Sequence, residues 1–149
     1  MNILDYYLNE VTVVNKENKH FKDKEKLSLS NFKMLKLTSM NINKYKSKAK
    51  SLIHIRDNVK YTGTIYVDKE DDVVAYVVIN TENKSIQALE VLPKYKGSSL
   101  SKQLLDVATK FYKANNLSVN KKNQLAFNIY KKYGFKKYKE SEYMYFMKL

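Results

Sequence analysis

The spacing of apolar and polar residues changes period several times along the chain, and each change predicts an element. Phe32–Leu37 (FKMLKL) alternates, as a strand with one solvated face does. Thr38–Lys50 is polar and has room for a helix. Thr62–Val67 (TGTIYV) alternates again and is rich in β-branched and aromatic residues, and Val73–Ile79 (VVAYVVI) is a denser apolar run. Joined through Asp68–Asp72, these two predict an antiparallel hairpin. Ser85–Leu92 (SIQALEVL) predicts a third strand, entered by a turn at Glu82-Asn83-Lys84. Pro93, which has no N–H to give a ladder, ends it.

From Ser98 or Ser99 the period lengthens. Leu100, Leu104, Leu105, Ala108, Phe111 and Tyr112 recur at spacings of three and four, predicting a helix with one apolar face that runs to about Asn115. Serine is a favoured N-cap, and asparagine tolerates the left-handed conformation that often ends a helix. Leu117–Val119 predicts a short strand. Asn123 then caps a second helix, with Leu125, Ala126, Ile129 and Tyr130 inward and Gly134 closing it. Phe135–Lys139 and Tyr143–Leu149 predict a last strand pair. From Thr62 the order is β-β-β-α-β-α-β-β, an α+β pattern with a mixed sheet covered by helices. Residues 1–31 lack a clear period: Ile3–Leu8 reads as a helical turn, Val11–Val14 as a strand and His20–Lys26 as a charged loop. They are expected to be a variable segment ahead of a core at 32–149, the whole forming one domain.

Composition narrows the function. The chain has 149 residues, one proline and three glycines, with no linker-like stretch and no internal repeat. Its first ten residues lack the basic and apolar regions of a secretory signal, and no run approaches the roughly 18 apolar residues of a membrane span. Cysteine is absent, which removes disulfides, thiolate nucleophiles and Cys-bearing zinc sites. His20 and His54 stand apart from any ligand-like spacing, so no metal is expected, and the protein reads as cytoplasmic. The net charge of +13 suits an anionic ligand. Nucleic acid is possible but not favoured: the lysines are spread along the chain, and Arg56 is the single arginine to offer a bidentate fork. A solvated lysine-rich surface accounts for most of the charge.

The informative stretch is Pro93-Lys94-Tyr95-Lys96-Gly97-Ser98-Ser99-Leu100-Ser101-Lys102. A buried strand ends, small residues follow, and an amphipathic helix begins. That geometry aims backbone N–H groups and the positive end of a helix dipole at one point, where an anion binds. Lys96 and Lys102 add charge. Many strand-to-helix loops carry Gly and Ser for steric reasons alone.

Here the sequence resembles the GNAT superfamily of N-acetyltransferases. Leu89-Glu90-Val91-Leu92-Pro93 matches the family's L-x-V-x-P strand, and Lys96–Ser101 falls on its Arg/Gln-x-x-Gly-x-Gly/Ala signature. Asn123, Ala126, Tyr130 and Gly134-Phe135 echo its N-x-x-A-x-x-x-Y-x-x-x-G-F helix. Lysine at 96 and serines at 99 and 101 depart from the pattern, and a Cβ at Ser99 crowds the space a pyrophosphate would use. The resemblance covers roughly residues 32–149. It implies the acyl-CoA N-acyltransferase fold, with a largely antiparallel sheet, and acetyl-coenzyme A as co-substrate. It further implies direct attack by a primary amine (of a small molecule, peptide or protein) in a ternary complex. By the same resemblance, Leu89, Val91, Lys96, Gly97, Ser98, Ser99, Leu100, Ser101, Lys102 and Asn123 contact the coenzyme. The Val91 N–H polarises the thioester carbonyl, and Tyr130 is the general acid. The acetyl group lies where the Ser85–Leu92 and Leu117–Val119 strands splay.

The base is left open. Ser85 and Gln87 occupy the usual region but take no proton at neutral pH, so Glu90, a water relay, distant His54, or an amine arriving deprotonated are the choices. Without the resemblance, Tyr130 is one more packed aromatic in a chain with 13 tyrosines. A homodimer is possible. Two other readings remain: a toxin-like member acetylating aminoacyl-tRNA, and a non-catalytic binding module on the same scaffold.

Overall fold

The run Val73–Asn80 fails to alternate because it is buried on both faces. The computed structural model describes residues 27–49, 52, 60–96 and 99–149. The elements expected within 1–26, together with His54, Gly97 and Ser98, lie outside them. Seven strands form one sheet: β1 (Lys33–Lys36), β2 (Tyr61–Val67), β3 (Val73–Asn80), β4 (Ser85–Val91), β5 (Asn116–Asn120), β6 (Lys136–Glu140) and β7 (Met144–Lys148). They lie side by side in the order β1-β2-β3-β4-β5-β7-β6. Every neighbouring pair is antiparallel except β4 and β5. The expected mixed, largely antiparallel sheet is therefore present.

Helix α1 (Ser39–Tyr45) begins where the Thr38 side chain accepts from the Asn41 N–H. It covers one face of β1–β4, packing Tyr45 over Ile65, Tyr76 and Val78 with help from Leu52. Helices α2 (Leu100–Asp106, continuing in wide π-turns from Val107 to Phe111) and α3 (Gln124–Tyr133) cover the other face. Leu104, Leu105, Ala126 and Tyr130 pack there on Val77, Leu89, Val91 and Val119. Among the described residues no helix is long and apolar enough to cross a membrane.

Two helical details differ from expectation. The π-turns at the end of α2, seen in the Tyr112 N–H donating to the Val107 carbonyl (3.1 Å), shift the phase of the apolar stripe. Phe111 is thereby turned out to 73% exposure, and Tyr112 turns in to hydrogen-bond Thr64. Lys113, not Asn115, takes the left-handed conformation (φ 63°). At the start of α2, the Ser99 side chain makes no N-cap bond. In α3 the cap is as expected, with Asn123 Oδ1 accepting from the Ala126 N–H (2.9 Å) and Gly134 at φ 130° ending the helix. Leu125 is exposed, while Phe127 packs inward against Tyr145.

Gly63 is the position where β2 permits no side chain. A Cβ there would lie 2.0 Å from the Val77 carbonyl oxygen of β3, a backbone atom that cannot swing aside. Gly63→Ala is expected to destabilise the protein by about 1–3 kcal/mol or more, read from the midpoint of urea unfolding. A change below about 0.5 kcal/mol would mean that β2 and β3 separate more easily than this packing implies.

At the other end of the sheet, Lys121 and Lys137 contact Glu140 at 2.5 and 3.0 Å, and their hydrogen bonds hold its carboxyl down to about 2. A folded pKa below the ordinary 4.5 gives stability that is complete above that pH and lost as pH falls toward about 2. Glu140→Gln should flatten this part of the Tm-versus-pH curve, by a small amount because the group is at the surface. Superimposable wild-type and variant curves through the window would remove the pair from the acid response.

Candidate active site

Strands β4 and β5 are fastened at one end only. Their single registered pair is Ser85↔Asn116. The Asn115 N–H donates to the Lys84 carbonyl (3.0 Å) and Asn116 Nδ2 to the Asn83 carbonyl (2.9 Å), locking that end. Beyond it the parallel ladder stops and the strands part. On its other edge β4 stays paired with β3, where the Leu92 N–H donates to the Val74 carbonyl (2.8 Å). Successive residues of a strand point their backbone groups to opposite edges. With Leu92 committed to β3, Leu89 and Val91 direct their N–H and C=O groups at the cleft between β4 and β5. Their side chains are buried under α2 and α3.

Past β4, Pro93–Tyr95 forms one 3₁₀ turn that leads to Lys96. This turn is anchored from the side: the Tyr95 hydroxyl donates to Asp68 Oδ2 (2.9 Å), and its ring meets Phe32 edge-on. Burial, then the Asp68 carboxylate, raises the Tyr95 hydroxyl well above the usual range. Burial works to raise the Asp68 carboxyl, but donors from Asp72, Tyr95 and Glu70 outweigh it and hold it low. Lys96 was expected to offer charge on the loop surface, yet its side chain has no exposed area. An ammonium is stable in such a position only when paired. Lys102, exposed in the first turn of α2, presents charge to solvent instead. That first turn contains no acid, and a cation near the positive end of a helix dipole is favourable only when an anion joins it. Ser99 is exposed, Ser101 is half-buried, and Leu100 is buried. Ser99 Oγ accepts from Gln103 Nε2 (3.0 Å), while Gln103 also grips the Leu27 carbonyl and the Leu29 N–H.

Asn123 and Tyr130 share the buried face of α3, two turns apart as their spacing requires. Asn123 Oδ1 is used as the cap, whereas Nδ2 is buried and has no hydrogen-bond partner among the described residues. A buried amide donor left unmade costs about 1–3 kcal/mol, so this atom is suited to a ligand's carbonyl. Tyr130 is 1% exposed, edge-on to Phe135. Glu90 faces the other way: it lies on the α1 side of the sheet, opposite Tyr76 of β3, and accepts from the Tyr76 hydroxyl (3.3 Å). The sheet thus separates Glu90 from Tyr130.

Tyr76 was not legible as a site residue, because its contact with Glu90 depends on a register set by a bulge at Val78/Ile79. The only sequence signal was a polar-tipped residue inside an otherwise aliphatic run. Ser85, for its part, is occupied structurally, donating to Asn83 Oδ1 (2.7 Å) and accepting from Gln87 Nε2 (2.6 Å).

Comparison with known proteins bears on these features together. The fold is similar to that of ribosomal-protein-S18-alanine N-acetyltransferase from Escherichia coli, with a TM-score of 0.60 and 15% identity over 79% of this chain and 92% of that one. It is also similar to a dodecameric spermidine N-acetyltransferase from Vibrio cholerae, with a TM-score of 0.52 and 15% identity over 80% and 94%. A putative acyl-CoA N-acyltransferase from Klebsiella pneumoniae gives a TM-score of 0.55 and 12% identity over 78% and 94%. At these identities the likeness is one of fold. No curated protein matches the sequence. Residues 31–145, most of the chain and all of the cleft, match the model of the acetyltransferase (GNAT) domain, and the protein accordingly belongs to the GNAT acetyltransferase family.

Proposed function

We propose that the protein is an N-acetyltransferase that moves an acetyl group from acetyl-coenzyme A to a primary amine by direct attack within a ternary complex. The observation that carries this reading is the cleft between β4 and β5, onto which Leu89 and Val91 direct their backbone groups. Nearby, the buried Nδ2 of Asn123 lacks a partner among the described residues. An amide-bearing, extended chain such as pantetheine suits such a slot, since it can replace the missing ladder bonds of β4 and satisfy Asn123. Its pyrophosphate would meet the start of α2 at Ser99, Leu100, Ser101 and Lys102, with Gly97 and Ser98 completing the loop.

In the transfer, the amine nitrogen bonds to the acetyl carbon and the carbon–sulfur bond breaks. The Val91 N–H stabilises the negative charge that develops on the carbonyl oxygen. Tyr130 Oη gives its proton to the departing sulfur, and the amine's surplus proton leaves through Glu90 or a water relay toward it. Glu90 lies on the opposite side of the sheet from Tyr130, so acid and base reach the acetyl carbon from different faces. A net charge of +13 opposes the approach of a polycation, which favours a monoamine or a peptide α-amine over a polyamine. An α-amine, with an ordinary pKa near about 8, also demands less of a base.

Acetyl-coenzyme A should raise Tm by mass action, by the equivalent of about 2.7 kcal/mol at a hundredfold excess over Kd. Ser99→Glu, which sets an anion against the phosphates, should abolish the shift. Asn123→Asp keeps a cap acceptor but removes the donor, and should weaken coenzyme binding about 5–150-fold. Full shifts in both variants would move the coenzyme away from this cleft.

Tyr130→Phe should lower kcat by about 10²–10⁴ with coenzyme affinity retained. Measured with a panel of monoamines and N-terminal peptides, an unchanged kcat would return Tyr130 to a packing role.

A further inference from the structure

Among the described residues, the sheet is covered on both faces only as far as β4. On β5 and β7, Leu117, Val119, Tyr145 and Met147 turn toward the core under α2 and α3. The register sets Asn116–Lys148–Lys136 and Ser118–Phe146–Lys139 in two rows on the opposite face. None of these six residues belongs to either hydrophobic core, and α1 packs no further than β4. The described residues therefore place no helix over this face. What it presents is aromatic and basic. Tyr138, at the irregularity in β6, is 52% exposed with Lys148 Nζ 4.8 Å from its ring centroid. Lys139 Nζ lies 5.7 Å from the ring of Phe146.

The charge is also less even than the spread of lysines along the chain suggests. Residues 107–149 hold ten lysines against Glu140 and Glu142, a net +8 of the chain's +13. Glu140 is itself taken up by Lys121 and Lys137. Lysines on the edge strand β6 would alone discourage strand-to-strand association. That role does not call for the ring of Tyr138 left in solvent beside the Lys148 ammonium.

We propose that this face of β5, β7 and β6 docks a single-stranded polynucleotide, a base stacking on the exposed ring of Tyr138 and the phosphates meeting Lys136, Lys139 and Lys148. An exposed ring such as that of Tyr138 accepts an unstacked base, which a duplex keeps hidden, while Phe146 is half-buried beside it. An acidic peptide would use the lysines and leave the ring of Tyr138 without a purpose. No arginine fork lies among these strands, so binding is expected to be tolerant of sequence. This surface is distinct from the acetyl-transfer cleft and does not depend on it.

The test is fluorescence anisotropy of the full chain with a labelled twelve-nucleotide oligouridylate, from about 50 to about 200 mM salt. Lys136→Gln/Lys139→Gln/Lys148→Gln should lower the salt slope by about 2 and weaken binding accordingly. Tyr138→Ala should weaken it about 5–150-fold, as loss of a stacked base does. Lys33→Gln/Lys36→Gln/Lys69→Gln removes the same charge from the opposite end of the sheet and should leave binding nearly unchanged. All variants should keep the wild-type Tm. Equal losses from the two triple variants, no effect of Tyr138→Ala, or tighter binding to duplex RNA, polyglutamate or phosphatidylglycerol vesicles would each overturn the proposal.

Discussion

A parallel strand pair held at one end and open at the other governs the rest of this molecule. Asn83, Lys84, Asn115 and Asn116 secure the closed end with backbone and side-chain hydrogen bonds. At the open end β4 keeps its antiparallel ladder with β3, so it cannot follow β5, and its free edge must be satisfied by something other than a strand. Because unmade backbone amides are costly, the gap is suited to an extended, amide-bearing molecule. The α3 cap at Asn123, one loop beyond β5, carries a buried amide donor with no partner among the described residues.

The rigidity this arrangement requires comes from the β2–β3 hairpin. Its loop gathers Asp68, Glu70, Asp71 and Asp72 within five residues of a strongly basic chain. Asp68 holds Tyr95 at the approach to the loop after β4, Asp71 accepts from the Tyr45 hydroxyl and pairs with Lys44, and Asp72 pairs with Lys48. One acidic turn thereby fastens both the end of β4 and the helix covering the opposite face. The exposed ion pairs contribute little each. The two tyrosine hydroxyls, held by carboxylates and partly withdrawn from water, are the firmer attachments.

A family fold of this kind leaves much of the specificity to charge and to variable segments. The local accumulation of lysine in the C-terminal third gives this chain a second surface whose electrostatics differ from those around the acidic hairpin. The two regions lie at opposite ends of one sheet.

The sequence by itself determined the strands, the helices and their order, because each element satisfies its own period and its own stop signal. Pro93 ends β4, Asn123 caps α3, and Gly134 closes it. It also located the loop after β4 and the pair Asn123 and Tyr130, since residues seven apart on a helix share a face whatever lies opposite. Phe111 and Leu125 were misread because a periodic pattern assumes an unbroken helix and a full partner surface. The π-turns of α2 and the position of α3 supply neither. Only the tertiary structure decided that Lys96 is buried, that Tyr76 stands across from Glu90, and that β7 lies between β5 and β6. Each of these depends on register and on which surfaces meet, quantities set by contacts between residues far apart in the chain. For the same reason, lysines that look dispersed along the sequence collect on one face once β6 and β7 pair.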